Sequence, residues 1–182
     1  MKWMIASDIH GSAYYCRQLM NRVEAEAPDR ILLLGDLLYH GPRNDLPREY
    51  DPKQVIEMLN AKRELLLCVR GNCDSEVDQM VLTFPMLADY AAIPVGNHLI
   101  YATHGHIFNE SKLPPLCRGD ILLHGHTHVP KCTQHEDYVY LNPGSVSIPK
   151  ENSPHGYMML CNGIFVWKTL SGEEYDRYSV QL

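Results

Sequence analysis

Residues 2–23 read KWMIASDIHGSAYYCRQLMNRV. The apolar run from Lys2 to Ser7 carries no helical period and stops at polar residues, so it reads as a buried strand. Ser12 is a suitable helix cap, and Cys16, Leu19, Met20 and Val23 then recur at helical spacing. Asp8 and His10 stand at the junction, where the strand gives out and the helix has not begun. A strand feeding directly into a helix is the unit of a parallel sheet, and in open α/β sheets ligands gather outside the carboxyl ends of strands.

Working outward, Pro28-Asp29 ends the helix and Ile31 to Leu34 forms a second strand. Asp51-Pro52-Lys53-Gln54 offers a cap, a first-turn proline and a capping-box glutamine for a second helix carrying Val55, Ile56 and Leu59. Leu65 to Val69 is a third strand. Further on, Val95-Gly96-Asn97-His98, Cys161-Asn162-Gly163-Ile164 and Leu170-Ser171-Gly172-Glu173 are turn signals between β-prone runs. A parallel half followed by a hairpin half predicts an α/β fold, one domain over residues 1–182, with two packed sheets flanked by helices.

The chain has 182 residues, 45% of them hydrophobic, enough for one good core. Its formal net charge is −6 and its basic residues are scattered, which argues against a nucleic-acid polymer as partner. A local positive site for a small phosphorylated molecule is compatible with that balance. The apolar run of residues 1–6 is too short for an export signal, and nothing approaches the roughly 20 apolar residues of a membrane span. The six cysteines contain no C-x-x-C pair. A cytoplasmic protein with reduced thiols and no membrane partner is therefore expected.

Five apolar runs end in oxygen or imidazole donors. WMIAS leads to Asp8 and His10, ILLLG to Asp36, LLLCVRG to Asn72-Cys73-Asp74, LIYAT to His104-Gly105-His106, and ILLHG to His126-Thr127-His128. Residues two apart in an extended segment point the same way, so Asp8/His10 and His126/His128 can each grip one centre. Two carboxylates, four imidazoles and one amide oxygen exceed what a single ion needs. Two divalent ions sharing Asp36 as a bridge is the economical arrangement. A mixed O/N set without thiolate suits Mn²⁺, with Fe, Zn²⁺, Ni²⁺ or Mg²⁺ as alternatives, better than Ca²⁺. Two such ions against two carboxylates and a hydroxide leave a net charge of roughly +1, a match for a phosphate ester anion.

Asp8-x-His10, Gly35-Asp36, Gly71-Asn72, His104-Gly105-His106 and Gly125-His126-Thr127-His128 stand in an order that resembles the calcineurin-like metallophosphoesterases. The short chain, Gly71-Asn72-Cys73-Asp74 and Asn142-Pro143-Gly144-Ser145 are similar to the small bacterial and archaeal phosphodiesterase branch, close to its enterobacterial member, which shares its fold with a retromer subunit. The resemblance implies a four-layer α-β-β-α sandwich with two mixed sheets. It also implies one metal on Asp8, His10 and His128, a second on Asn72, His104 and His126, and Asp36 between them. The implied reaction is hydrolysis of a small organic phosphodiester by a metal-bridging hydroxide attacking phosphorus in line.

One position departs from the family pattern. Many members carry histidine after the motif asparagine, where it is thought to protonate the leaving group; here Cys73 stands there. A thiol, with a reference pKa of about 8.5, protonates an alkoxide less readily than imidazolium. The expected acid is Cys73 or, alternatively, His40 in the loop Tyr39 to Asn44. Arg43 in the same loop is expected to meet the phosphate, and His106 is a second candidate substrate contact. Asp74, Glu76 and Asp78 read as the polar first turn of a short helix. Two other functions stay open at this point: a catalytically weak scaffold of the same fold, and a protein phosphatase. The apolar stretch Met80 to Leu87 leaves homo-oligomerisation open.

Overall fold

The structure is a computed structural model and describes residues 1–180. The first strand, β1 (Lys2–Ala6), runs into helix α1 (Ala13–Glu26), whose N-terminus is capped by Ser12 accepting from the Tyr15 amide. Strand β2 (Arg30–Leu33) follows. Helix α2 (Pro52–Asn60) starts on Asp51, which accepts from both the backbone and the side-chain amide of Gln54, and leads to β3 (Leu66–Cys68). These three strands are parallel, as the alternation of elements requires. The short helix α3 (Glu76–Val81) comes next. Eight strands complete the chain: β4 (Tyr90–Val95), β5 (His98–Thr103), β6 (Asp120–Leu123), β7 (Pro130–Gln134), β8 (Tyr138–Pro143), β9 (Gly156–Cys161), β10 (Ile164–Thr169) and β11 (Glu174–Ser179).

The strands form two mixed sheets, ordered β11-β10-β9-β1-β2-β3 and β4-β5-β6-β8-β7. All three expected hairpins are present, as β4/β5, β9/β10 and β10/β11. The second half is not all hairpins, however, because β5, β6 and β8 pair in parallel. One core lies between the sheets, where Ile5, Leu32 and Trp167 face Ile100, Ile121 and Leu141. A second core lies on the other face of the six-stranded sheet, where Cys16, Leu19 and Val23 of α1 and Val55 and Leu59 of α2 cover Met4, Ile31 and Leu33. This alternation along β1 and β2 is the period-two pattern of strands buried on both faces.

The two mixed sheets and one helical layer agree with the expected sandwich. The helical layer is formed by α1 and α2 on the six-stranded sheet. Residues 104–119 form an irregular segment against the five-stranded sheet, with Phe108 edge-on to Tyr90 and Glu110 bound to His135. Pro114-Pro115 within it fixes two φ angles and removes two amide donors, which is incompatible with a continuous helix.

Candidate metal centre

The donor-bearing loops meet at one end of the two sheets, where β1, β2 and β3 of one sheet and β5 and β6 of the other release their chains. Five of the seven expected metal ligands adopt left-handed backbone there: Asp8 (φ 59°), His10 (49°), Asp36 (56°), His126 (64°) and His128 (63°). For residues with a β-carbon this region is disfavoured, and such outliers persist where the surroundings force them and function uses them. The loops also touch. A β-carbon on Gly71 would stand 2.1 Å from Asp36 Oδ1, so only glycine lets the third strand's exit approach the second's. Gly125 is as tightly placed, its absent β-carbon 1.9 Å from Ser7 Oγ.

The side chains converge in two adjoining groups. In the first, His128 Nε2 lies 3.2 Å from Asp8 Oδ1, and His10 Nε2 lies 3.5 Å from the same oxygen and 3.3 Å from His128 Nε2. In the second, His104 Nε2 lies 3.1 Å from Asn72 Oδ1 and 3.2 Å from His126 Nδ1. Asp36 stands between them, its Oδ2 3.6 Å from His10 Nε2 and 3.4 Å from His104 Nε2. Asp8, Asp36, His10, His104 and His128 are all buried.

The outer nitrogens of three rings fix which atom faces inward. His10 Nδ1 donates to Tyr39 O, His104 Nδ1 to Leu34 O and His128 Nδ1 to Ile148 O, each at 2.7 Å. A carbonyl only accepts, so each Nδ1 carries a proton, and each Nε2 presents a lone pair inward once any second proton has left the ring. Lone pairs directed at one another at 3.3 Å repel unless a positive charge lies between them. Asp8 Oδ1, buried and without a hydrogen-bond partner, points into the same space. Orphaned buried acceptors beside converging imidazoles fit a cation, and backbone carbonyls on the outer nitrogens are the usual support for metal-ligating histidine. Two trios, Asp8/His10/His128 and Asp8/Asp36/His104, keep their donor atoms within 4.8 Å of one another.

The local electrostatics follow from burial opposed by pairing. Burial would raise the Asp8 carboxyl, but the adjacent His10 and His128 rings hold it well below the usual range. Asp36 is likewise lowered against its burial, by His104. Burial depresses His10 and His104, yet Asp8 raises the first and Asp36 brings the second up to about 9. His126 is pushed down to about 4 by burial and by neighbouring His104. A cation entering the site must displace protons from these rings, so its affinity rises with pH.

A cleft of about 440 Å³ opens over the centre, lined by Asp36, Asn72, His126 and His128 and, on its rim, by Arg43, Cys73, Thr127 and Lys150. Arg43 and Cys73 are both part of the cleft wall. Burial, then Asp36, pushes the Cys73 thiol up to about 12, so it carries its proton at neutral pH. His40 is not part of the lining; its ring is packed edge-on against Tyr39 and Tyr50. His106 lies behind the second group, its ring 5.4 Å from that of His104, outside the cleft lining.

Among the residues that support the site, the role of Asp74 and the presence of Lys150 were not legible beforehand. Asp74 is buried rather than part of the exposed helix start; its carboxylate accepts from the amides of Asp36, Leu37 and Gly71 and ties two ligand loops together. Asn142 donates to Gly125 O and Thr127 Oγ1, steadying the loop that carries His126 and His128. Lys150 arrives on the loop after β8, its amide bound to His128 O, and no motif flagged it.

Comparison with known proteins agrees with this geometry. The chain is 44% identical over 164 residues to phosphodiesterase YfcE of Escherichia coli K12, covering 90% of this chain and 89% of the relative. It is 25% identical to a probable metallophosphoesterase, YsnB, of Bacillus subtilis, over 88% of this chain and 83% of that one. The solved structure of the E. coli YfcE phosphoesterase superimposes with a TM-score of 0.95 at 41% identity, over the whole of both chains. Vps29 of Entamoeba histolytica in complex with zinc shares the fold alone, with a TM-score of 0.61 at 19% identity over all of both chains. Residues 1–162 match the calcineurin-like phosphoesterase superfamily domain, and the chain belongs to that superfamily.

Proposed function

We propose that this metallophosphoesterase hydrolyses small organic phosphodiesters at the cleft over Asp36. The observation that carries the reading is the set of inward-facing Nε2 atoms of His10, His104 and His128 around two buried carboxylates. Asp8, His10 and His128 would hold one divalent cation, Asn72, His104 and His126 a second, and Asp36 both. Such a pair supplies Lewis acidity at phosphorus and lowers the pKa of water to about 7.

The chain's own groups do the rest. Arg43 and Lys150 flank the cleft and orient the phosphate oxygens by charge-assisted hydrogen bonds. Cys73 faces the cleft as a neutral thiol and is the group placed to give a proton to the departing alkoxide. Its high pKa makes it a weak acid, which favours esters with good leaving groups. The oxygen and imidazole donors support Mn²⁺ as the working ion. Six unpaired cysteines, one of them exposed, support a reducing compartment such as the cytoplasm. No helix is long and apolar enough to cross a membrane among the described residues. Met80 and Val81 remain exposed while Leu82, Phe84 and Met86 are buried, so self-association through this stretch would use α3 alone.

The test is to strip the protein with a chelator and assay bis(p-nitrophenyl) phosphate with Mn²⁺, Fe²⁺, Zn²⁺, Ni²⁺ or Mg²⁺ restored. Stripped protein is expected to be inactive and Mn²⁺ to restore the greatest rate. Failure of every ion to restore hydrolysis would favour a scaffold of this fold instead.

A further inference from the structure

A second cavity, about 500 Å³, adjoins the cleft, and Cys73 belongs to the walls of both. It is a groove between the start of α2 and α3, lined by Leu38, Tyr39, Tyr50, Ile56, Val77 and Val81. Tyr39, Val77 and Val81 are exposed at 42%, 68% and 43%, a concentration of apolar surface uncommon on an otherwise acidic protein. Its polar wall is already committed: Asp78 accepts from the amide and hydroxyl of Ser75 in the capping box of α3. The groove therefore offers apolar area and two tyrosine rings, with few polar groups free to select a hydrophilic ligand.

We infer that this groove binds the leaving alcohol of the phosphodiester and selects an aromatic or other apolar one. The inference rests on the proposed phosphodiesterase reading. With phosphorus over Asp36 and the departing oxygen directed at Cys73, the alcohol's carbon skeleton can pass the thiol only into this groove or out to solvent. A β-carbon on Gly41 would lie 3.2 Å from Cys73 Sγ, so glycine at this position leaves the space beside the thiol open. An apolar skeleton gains from leaving water there, whereas a sugar or amino alcohol would lose hydrogen bonds. Product release leaves by the same route, consistent with exposed rather than enclosed walls.

The experiment measures binding, so that it reads the groove independently of turnover. Phenyl methylphosphonate and methyl methylphosphonate, two slowly hydrolysed anionic analogues, are titrated calorimetrically into Mn²⁺-loaded protein. The phenyl compound is expected to bind about 10-fold more tightly, as burial of part of one ring implies. Val77→Asp and, separately, Tyr39→Ala are expected to bring that ratio near unity. Met80→Asp, on α3 but outside the groove, should keep it. Equal binding of the two analogues by the unaltered protein, or a ratio surviving both groove variants, overturns the inference. So does a ratio that falls equally in Met80→Asp alongside loss of a dimer in sedimentation, which would assign the surface to a second copy. Hydrolysis of bis(p-nitrophenyl) phosphate by the same unaltered protein reports on the phosphodiesterase reading separately.

Discussion

Replacing Gly71 with alanine adds a single carbon at the point where two ligand loops touch. The new atom would lie 2.1 Å from Asp36 Oδ1 and 2.4 Å from Asp36 N. The first distance is about 1.3 Å short of ordinary contact, and the backbone nitrogen cannot yield. Gly71 is not in the left-handed region, so the substitution chiefly probes the contact. Relief requires the Asp36 carboxylate to move by about 1 Å, several times the roughly 0.2 Å tolerance of a metal–ligand bond. That shift also breaks the 2.8 Å bond from the Cys73 amide to Asp36 Oδ1. Overpacking of this kind costs about 1–3 kcal/mol in stability, and a 1 Å misplacement costs about 100-fold in rate. Urea unfolding of chelated protein, calorimetric Mn²⁺ titration and diester hydrolysis measure the three effects. Two Mn²⁺ per chain at unchanged affinity, with kcat within about threefold, would refute the assignment of Asp36 as the shared ligand.

Asp36→Asn keeps the shape and removes the charge; Mn²⁺ affinity is expected to fall about 10- to 100-fold and turnover by at least as much, read by calorimetry and kinetics. Cys73→His supplies a stronger acid, and hydrolysis of diesters with poor leaving groups should rise about 10-fold or more while p-nitrophenyl esters change little. Away from the centre, Glu26 is held down at about 2, against its burial, by Lys168, Tyr157 and Arg22. A depressed carboxyl stabilises the fold above its unfolded value of 4.5 and loses that contribution as pH falls towards 2. Urea unfolding across that range should show the unaltered protein's advantage over Glu26→Gln, constant above pH 5, closing on acidification.

The site was legible because its donors sit at strand ends and keep a local spacing. Asp8/His10 and His126/His128 announce themselves within three residues, and the apolar runs before them are strands buried on both faces. The parallel pairing of β5, β6 and β8 was not legible, since partner choice among distant strands leaves no local trace. Asp74 misled for a related reason. Followed by Glu76 and Asp78 it looks like a helix start, yet its carboxylate turns back to amides 37 and 38 residues earlier in the chain. Lys150 follows no strand end and sits in an irregular loop, so only the folded backbone brings it beside Arg43.

The positive φ angles at Asp8, His10, Asp36, His126 and His128 carry a price in native-state energy. At about 1 kcal/mol or more apiece, their sum is comparable with the whole margin by which small domains outlast their unfolded chains. Selection has thus kept reactivity at the expense of robustness. Glycine installed at the half-exposed His126 would relieve that strain while removing a cation ligand, so the backbone most at ease here is one that no longer captures metal.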